Sequence, residues 1–297
     1  MKKYLNFINE STREDEELLN QIINLPYEVR KELKEELEDI KDEKTNEGLG
    51  SLFSKFKNFL SKKALDFIIN LNEKEIDKKI ELLTILDPTD LSPDALRVNS
   101  VSGIYLGGGI DKTKPDSESK EWREEVEDFF GSKNIVYDSE IAELGRTGKL
   151  NKSNYNKPLI FNPMRNELVR EDPNWAEYHR MWREGEFDDI EPGSEEEAKW
   201  VDWSKITNTA INRPDRLIIQ ACDTNLVSLN AGAGGGTYGE IELTAYRNLN
   251  LFIWLNDAWT MKDISPWLIP SITKIVRTKE ELFALLDAIK NHPSNKN

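Results

Sequence analysis

The chain has 297 residues, of which 38% are hydrophobic and 32% are charged. This composition excludes a disordered or fibrous protein and provides enough apolar residues for one large domain or two ordinary ones. The formal net charge of -15 disfavours binding to a nucleic-acid duplex, because a phosphate backbone is repelled by a negative protein surface. A single nucleotide can still bind in a pocket.

Cysteine and histidine are too scarce for several kinds of site. The single cysteine, Cys222, excludes an intramolecular disulfide and a zinc site built from cysteines. The two histidines, His179 and His292, form no two-histidine metal motif, and a Ser–His–Asp triad would rest on His179 alone. We therefore expect no metal and no cofactor. Neither a membrane-spanning apolar run nor a secretory signal is visible, so we expect a cytoplasmic protein.

Residues 1–98 are predicted to form a small all-α N-terminal domain. Three apolar stripes have the three- and four-residue spacing of a helix face. They are Val29, Leu33, Leu37 and Ile40; Leu52, Phe56, Phe59, Leu60 and Phe67; and Ile76, Ile80 and Leu83. The segment LDPTDLSPDALRVNS, with its two prolines, indicates a domain boundary between residues 98 and 99. Alternatively, the Phe-rich stretch 52–68 or the opening MKKYLNFINEST docks on a membrane or a partner.

Residues 99–297 are predicted to form an α/β domain with a doubly wound parallel sheet, because strand-like and helix-like patterns alternate. The predicted strands are VSGIYLGG, NIVYD, PLIFNP, TNLVSLN, NLFIWLN and ITKIVR. Helices are predicted at KEWREEVEDFFG, over 203–221, from near Thr237, and at KEELFALLDAIK. Residues 138–157 are predicted to be a loop, and the acidic, Trp-rich residues 171–200 an insertion. Glycine clusters at 107–109 and 232–236 fall at the carboxyl ends of strands, where such sheets bind ligands.

The strongest local signal for a site is the segment GGGTYGE, residues 234–240. Glycines let a ligand approach the backbone, and free N–H groups at a helix start can bind an anion or ribose hydroxyls. Gly234, Gly236 and Gly239 match GxGxxG in spacing, although a dinucleotide fingerprint would lie on the first strand and a P-loop lysine is missing. Glu240 is predicted in the first helical turn, where its alternative role is helix-dipole compensation or a capping box.

Two further groups of residues bear on the site. Tyr105 lies on the first strand, just before Gly107-Gly108-Gly109, and Asp111 follows closely. Asp215 and Asp223 are eight residues apart, in a helix and at the start of a strand. The alternatives are a core aromatic for Tyr105 and, for Asp215, a solvated helix residue beside Arg213 and Arg216.

Taken in order, the motifs IYLGGGID, NPMR, D-x7-D and GGTYGEIELTAY resemble those of nucleoside 2-deoxyribosyltransferases and their N-glycosidase relatives, over about residues 101–285. The resemblance implies a flavodoxin-like or Rossmann-like sheet, a homo-oligomer, and cleavage or transfer at the bond between a nucleobase and a (deoxy)ribose. It also implies that Glu240 is the nucleophile, that Tyr105 hydrogen-bonds it, and that Asp215 handles the leaving base.

This chemistry suits the composition, because it needs no metal and no histidine. Departure of the base leaves oxocarbenium character at the anomeric carbon, which one carboxylate can trap while a second acid, with a pKa raised by burial, protonates the base. The sugar or phosphate is expected to bind near residues that follow the strands. These are Gly107, Gly108, Gly109, Asp111, Asn162, Arg165, Asn230, Gly235, Gly236 and Thr237.

The chain departs from the family pattern at Gly234, where an aspartate often precedes the nucleophile. Asn225 and Asn230 are the nearest polar substitutes. Glu242 is a second candidate for the nucleophile. Arg165 either holds a phosphate or is a surface arginine after a turn.

The remaining candidate residues are the aromatic side chains of the insertion and the single cysteine. His179, Trp175 and Trp182 either stack on a base or pack within the insertion, and Cys222 is interpreted as a small buried apolar residue. The loop GAGGGTYGEIE is also similar to the PGGxGTxxE loop of nucleotide-binding sensor and phosphoribohydrolase proteins related to cytokinin-activating enzymes. A binding-only sensor with a helical effector or oligomerisation domain is therefore the second hypothesis. An interaction protein that has lost the site is the third.

Overall fold

A parallel sheet with helices on both faces forms the centre of the protein. The computed structural model describes residues 18, 20–43, 54–69, 71, 73–109, 116–136, 138–150, 152, 155–165, 172–229, 235–255 and 268–296. The strands are β1 (Gly103–Gly108), β2 (Leu159–Phe161), β3 (Thr224–Ser228), β4 (Asn250–Trp254) and β5 (Lys274–Val276). The helices are α1 (Tyr27–Glu43), α2 (Lys62–Ile69), α3 (Glu73–Leu86), α4 (Asp116–Phe130), α5 (Asp138–Thr147), α6 (Trp175–Arg183), α7 (Glu195–Thr207), α8 (Arg213–Ala221), α9 (Gly235–Tyr246) and α10 (Lys279–Asn291).

The strand order is β2-β1-β3-β4-β5, and every neighbouring pair is parallel. This confirms the predicted α/β class and the parallel sheet. The order of connection reverses between β1 and β3, so the helices that follow these two strands diverge and leave a crevice at their carboxyl ends. Gly108 pairs with Ser228 at that edge.

Two local predictions in the first half of the sheet are wrong. The described residues of NIVYD do not form a strand, because Ile135 makes only an isolated bridge to Ile160 and Asp138 already begins α5. The stretch 138–157, predicted to be a loop, contains α5. Its Ile141, Ala142 and Leu144 are buried against the sheet, so a short apolar face stabilises a helix whose remaining positions are polar.

The helical segment before β3 is longer than predicted. Residues 171–200 contain α6 and the start of α7, and α7 continues through a π-helical turn at Asn208–Asn212 into α8. Pro214 has no N–H to donate to the carbonyl four residues earlier, which is a physical reason for the interruption of the regular α-helix there.

The N-terminal helices share a hydrophobic core with the sheet. Leu33 and Leu37 of α1 and Leu83 of α3 belong to one buried cluster with Ile253 of β4 and Ile275 of β5. These helices therefore cover the part of the sheet that α8 and α9 leave open. A separate all-α N-terminal domain is not confirmed, and the boundary between residues 98 and 99 stays a prediction.

A buried ion pair joins helix α1 to helix α10. Nη2 of Arg30 donates to Oε1 of Glu281 on α10 at 2.6 Å and to the carbonyl of Leu86 at 3.0 Å, and Nη1 donates to the carbonyls of Ile23 and Leu25. The two charged side chains are only 1% and 5% exposed. The pair thus fixes the start of α1 against α10.

The Phe-rich stretch contributes to the same core. Phe56 and Leu60 are buried, whereas Phe59 is half-exposed. Leu52, the side chain of Phe67 and the opening MKKYLNFINEST lie outside the described residues, so docking by these segments stays a prediction. Among the described residues, no helix combines the length and the apolar character that crossing a bilayer requires.

Replacing Arg30 by alanine is expected to lower the free energy of unfolding by ~3–5 kcal/mol, because Glu281 would keep a buried carboxylate without its cation. The measurement is a urea titration followed by tryptophan fluorescence and far-ultraviolet circular dichroism. All 8 tryptophans lie after residue 98, so fluorescence reports only the sheet part, whereas dichroism also reports α1–α3. With a shared core the two signals shift together.

The matched control is Lys41→Ala, which removes the exposed Lys41–Asp77 pair between α1 and α3. It is expected to change the free energy of unfolding by less than about 1 kcal/mol. Helix loss at lower urea than the fluorescence change, in wild type or in Arg30→Ala, would contradict a shared core.

Candidate functional site

Two of the predicted catalytic residues meet at the carboxyl end of β1. The hydroxyl of Tyr105 donates to Oε1 of Glu240 at 2.8 Å, and the N–H of Gly108 donates to Oε2 at 3.4 Å. Tyr105 is fully buried and packs in a hydrophobic cluster, so it is a core aromatic that also hydrogen-bonds Glu240, and its catalytic role stays a prediction. Glu240 as a residue is partly exposed, whereas its carboxylate is buried against β1.

The carboxylate fits there because Gly107 has no side chain. A Cβ atom on Gly107 would lie 3.0 Å from Oε2 of Glu240 and 2.9 Å from Oδ1 of Asn225. At Gly108 the backbone has φ +141°, and a Cβ atom would lie 2.7 Å from the carbonyl of Ser228. The glycines thus allow α9 to approach the end of β1 closely.

Asp215 lies near the start of α8, three residues after the π-helical turn, and is 8% exposed. Its neighbours Arg213 and Arg216 are exposed, so the interpretation as a solvated helix residue is wrong. Oδ1 of Asp215 is buried and has no hydrogen-bond partner among the described residues. A buried oxygen without a partner is costly unless it is protonated or binds a ligand.

The surroundings of the two carboxyl groups shift their pKa values to different extents. Burial raises the pKa of both. At Glu240 the Tyr105 hydroxyl, the Arg123 charge and the Gly108 N–H oppose this rise, and the pKa stays above its ordinary value. At Asp215 the negative charge of Glu240 raises the pKa further, well above its ordinary value, and the lowering effects of Tyr105 and Arg123 are smaller. The pKa is therefore raised more strongly at Asp215 than at Glu240.

Sequence reasoning missed Arg123, which is buried beneath the turn after β1. Its Nε donates to the carbonyl of Leu106 at 3.0 Å and its Nη2 to the carbonyl of Gly108 at 3.1 Å. The sequence offered one signal, an arginine beside the apolar stripe of α4. A helix-surface arginine has the same pattern, so the sequence could not distinguish the two.

Asn225 and Thr244 hold the backbone of Glu240. Nδ2 of Asn225 donates to Oγ1 of Thr244 at 2.8 Å, and the Thr244 hydroxyl donates to the carbonyl of Glu240 at 2.7 Å. Asn225 faces Gly107 with an Oδ1 that has no hydrogen-bond partner within the described ranges. It therefore supports the site, as one of the polar residues considered in place of the missing aspartate.

Asn162 and Arg165 follow β2 and are held by Glu127 of α4. Arg165 binds both oxygens of Glu127 at 2.7 Å, and Nδ2 of Asn162 donates to Oε1 at 3.1 Å. The Glu127 side chain is 2% exposed and that of Arg165 is 35% exposed, so Arg165 is a partly exposed arginine held by a buried carboxylate. A phosphate on Arg165 would have to compete with this bidentate pair, and the phosphate role stays a prediction.

The glycine loop is described only from Gly235 onward. Gly235, Gly236 and Thr237 form the first turn of α9, with Thr237 buried, and Glu240 lies in the second turn. The prediction that Glu240 lies in the first helical turn is therefore wrong. The capping-box role of Glu240 is wrong too, because its carboxylate contacts β1. Gly109 follows β1 directly and is partly buried. Asp111, Asn230 and Gly234 lie outside the described residues.

Several other candidates have structural positions. Asp223 lies at the opposite end of α8 from Asp215, where its carboxylate accepts hydrogen bonds from Ser100, Ser102 and Gly103. His179 packs among Trp175, Trp182 and Trp203, which supports packing within the insertion. Cys222 is buried, as predicted. Glu242 is exposed.

No three His, Cys, Asp or Glu side chains in the described part of the chain are grouped as metal ligands. Comparisons of the chain with protein-family models, with curated proteins and with solved structures find no match.

The substitution Asp215→Asn is expected to stabilise the protein at neutral pH. An acid whose pKa is raised on folding holds its proton more tightly in the folded state, so wild type loses stability as pH rises above the ordinary aspartate pKa toward the raised one. Asparagine does not titrate and escapes this loss. The melting temperature of the variant should exceed that of wild type by more at pH 8 than at pH 4.

Asp223→Asn is the control from the same sequence motif. It removes a carboxylate that accepts several hydrogen bonds and should lower stability by ~1–3 kcal/mol at neutral pH. A melting temperature of Asp215→Asn below that of wild type at pH 8 would show that Asp215 is not a strained, protonated acid.

Proposed function

We propose that the protein cleaves the N-glycosidic bond of a nucleoside or nucleotide through a covalent glycosyl ester on Glu240. The observation that carries the proposal is the carboxylate of Glu240, hydrogen-bonded to Tyr105 at 2.8 Å, with the buried Asp215, whose pKa is raised, facing it. A charged carboxylate next to a neutral carboxylic acid is the arrangement that retaining glycoside chemistry uses. The resemblance of the sequence motifs supports a nucleobase as the leaving group.

The first half of the reaction forms a bond from Glu240 to C1′ while the bond from C1′ to the base nitrogen breaks. The electron pair of the broken bond goes to the base nitrogen, which takes the proton of Asp215. In the second half an attacking water or second base displaces Glu240 from C1′, and the Asp215 carboxylate takes the proton of the attacker. Water gives hydrolysis, and a base gives transfer.

Tyr105 and the N–H of Gly108 orient the nucleophile in this scheme. Each donates to one carboxylate oxygen, so the carboxylate cannot rotate freely and its ionised form is favoured by both hydrogen bonds. The sugar would lie over Gly107–Gly109 and the first turn of α9 (Gly235, Gly236 and Thr237), because free N–H groups at a helix start can bind the oxygens of a ligand. Asp111, Asn162, Arg165 and Asn230 remain candidates for further substrate contacts.

The test incubates the protein with deoxynucleosides, deoxynucleotides and NAD, with and without an acceptor base, and follows base release by chromatography. Glu240→Gln should lower kcat/KM by roughly a thousandfold or more, because it removes the nucleophile while keeping the shape of the side chain. Glu242→Gln is the matched control, two residues further along the same helix and exposed, and it should be as active as wild type.

The outcomes separate the possible functions. Equal activity of Glu240→Gln and wild type would refute the nucleophile assignment. Calorimetric binding of a nucleotide by wild type without any base release would refute the enzymatic proposal in favour of a nucleotide-binding sensor.

A further inference from the structure

Arg123 hydrogen-bonds to the turn after β1, in which the N–H of Gly108 faces Glu240. Its guanidinium donates to the carbonyls of Leu106 and Gly108, which belong to the peptide groups on either side of the Gly107–Gly108 peptide. The N–H of that middle peptide donates to Oε2 of Glu240 at 3.4 Å. By fixing both flanking peptides, Arg123 sets the direction of the N–H between them.

The turn needs such a support because its backbone is unusual. Gly108 has φ +141°, a conformation that residues with side chains rarely adopt. Glycine adopts many other conformations as easily, so its own backbone preference does not fix this one. A planar guanidinium can donate to two carbonyls at fixed spacing, whereas a lysine ammonium acts as a compact point charge on a flexible stem. The geometry therefore calls for arginine and not for any cation.

Arg123 also supplies positive charge to a buried acidic site. The charged or titratable groups that face Glu240 are Tyr105 from β1, Arg123 from α4 and Asp215 from α8. Within the described residues Arg123 is the cation of this group, and it is only 1% exposed. Without it, burial would favour a protonated Glu240, which is a poor nucleophile.

We infer that Arg123 is a positioning residue, which holds the turn after β1 by two hydrogen bonds and supplies the positive charge that faces the Glu240 carboxylate. The inference rests on the proposed function only in taking Glu240 as the nucleophile. Arg123 itself is buried beneath the turn and acts through Gly108 and Glu240, without touching the substrate.

Two substitutions separate the charge of Arg123 from its shape. Arg123→Lys keeps a cation but loses the paired hydrogen bonds to the two carbonyls. Arg123→Met loses the cation as well as the hydrogen bonds. The expected order of the Glu240 titration midpoint is wild type lowest, Arg123→Lys intermediate and Arg123→Met highest. The acidic limb of the kcat/KM profile should move in the same order, with kcat/KM of Arg123→Met at pH 6 falling by roughly tenfold or more through kcat rather than KM.

The titration is measured by NMR on full-length protein with 13C-labelled glutamate carboxyl groups. The Glu240 signal is identified as the one that Glu240→Gln removes. This readout needs no turnover, so it decides the role of Arg123 even if no tested substrate is cleaved. If base release is observed but the Glu240 midpoint does not move in the Arg123 variants, the role of Arg123 is refuted and the proposed function is not.

Arg30→Lys is the control for the loss of a buried arginine as such. It should lower the melting temperature and leave the Glu240 midpoint unchanged, because Arg30 binds Glu281 between α1 and α10. Equal midpoints in wild type, Arg123→Lys and Arg123→Met would overturn the inference. A midpoint that rises in Arg30→Lys as much as in Arg123→Met would also overturn it, because the effect would then be general destabilisation.

Discussion

The candidate site depends on the stabilisation of one buried negative charge, the carboxylate of Glu240. A carboxylate removed from water is unstable unless hydrogen bonds and opposite charge replace the solvent. β1 provides the Tyr105 hydroxyl at 2.8 Å, the Gly108 N–H, and at Gly107 the space that a side chain would fill. Helix α4 provides the charge of Arg123. Three adjacent features of one strand and one buried arginine therefore stabilise the ionised form.

The same constraint divides the two carboxyl groups by role. Burial raises the pKa of Asp215 well above its ordinary value, and the charge of Glu240 raises it further. Its position follows from α8, whose start is displaced by the π-helical turn at Asn208–Asn212. The N-terminal helices pack on β4 and β5 in the cluster that also contains Ile241 of α9, and Arg30 ties them to α10. They complete the fold on which the site is built.

The sequence allowed prediction of what depends on local pattern. Most strands and helices could be located because apolar runs and periodic stripes determine them, and Glu240 and Tyr105 could be paired through a resemblance of motifs. Helix α5 was missed because its apolar face is short and lies within polar residues. The shared core of α1–α3 with the sheet could not be predicted, since an amphipathic helix does not specify its partner. Arg123 was missed because a buried arginine and a surface arginine look alike in one sequence.

The central claim is that Glu240 bonds covalently to the anomeric carbon of a furanose. The most direct measurement is mass spectrometry of the acid-quenched, proteolysed protein after reaction with a nucleoside carrying fluorine at C2′, which slows breakdown of the glycosyl ester by destabilising positive charge at C1′. The account predicts a mass increase of one fluorinated sugar, without the base, on the peptide that contains Glu240. Base release with the sugar on another carboxylate, or on none, would contradict it.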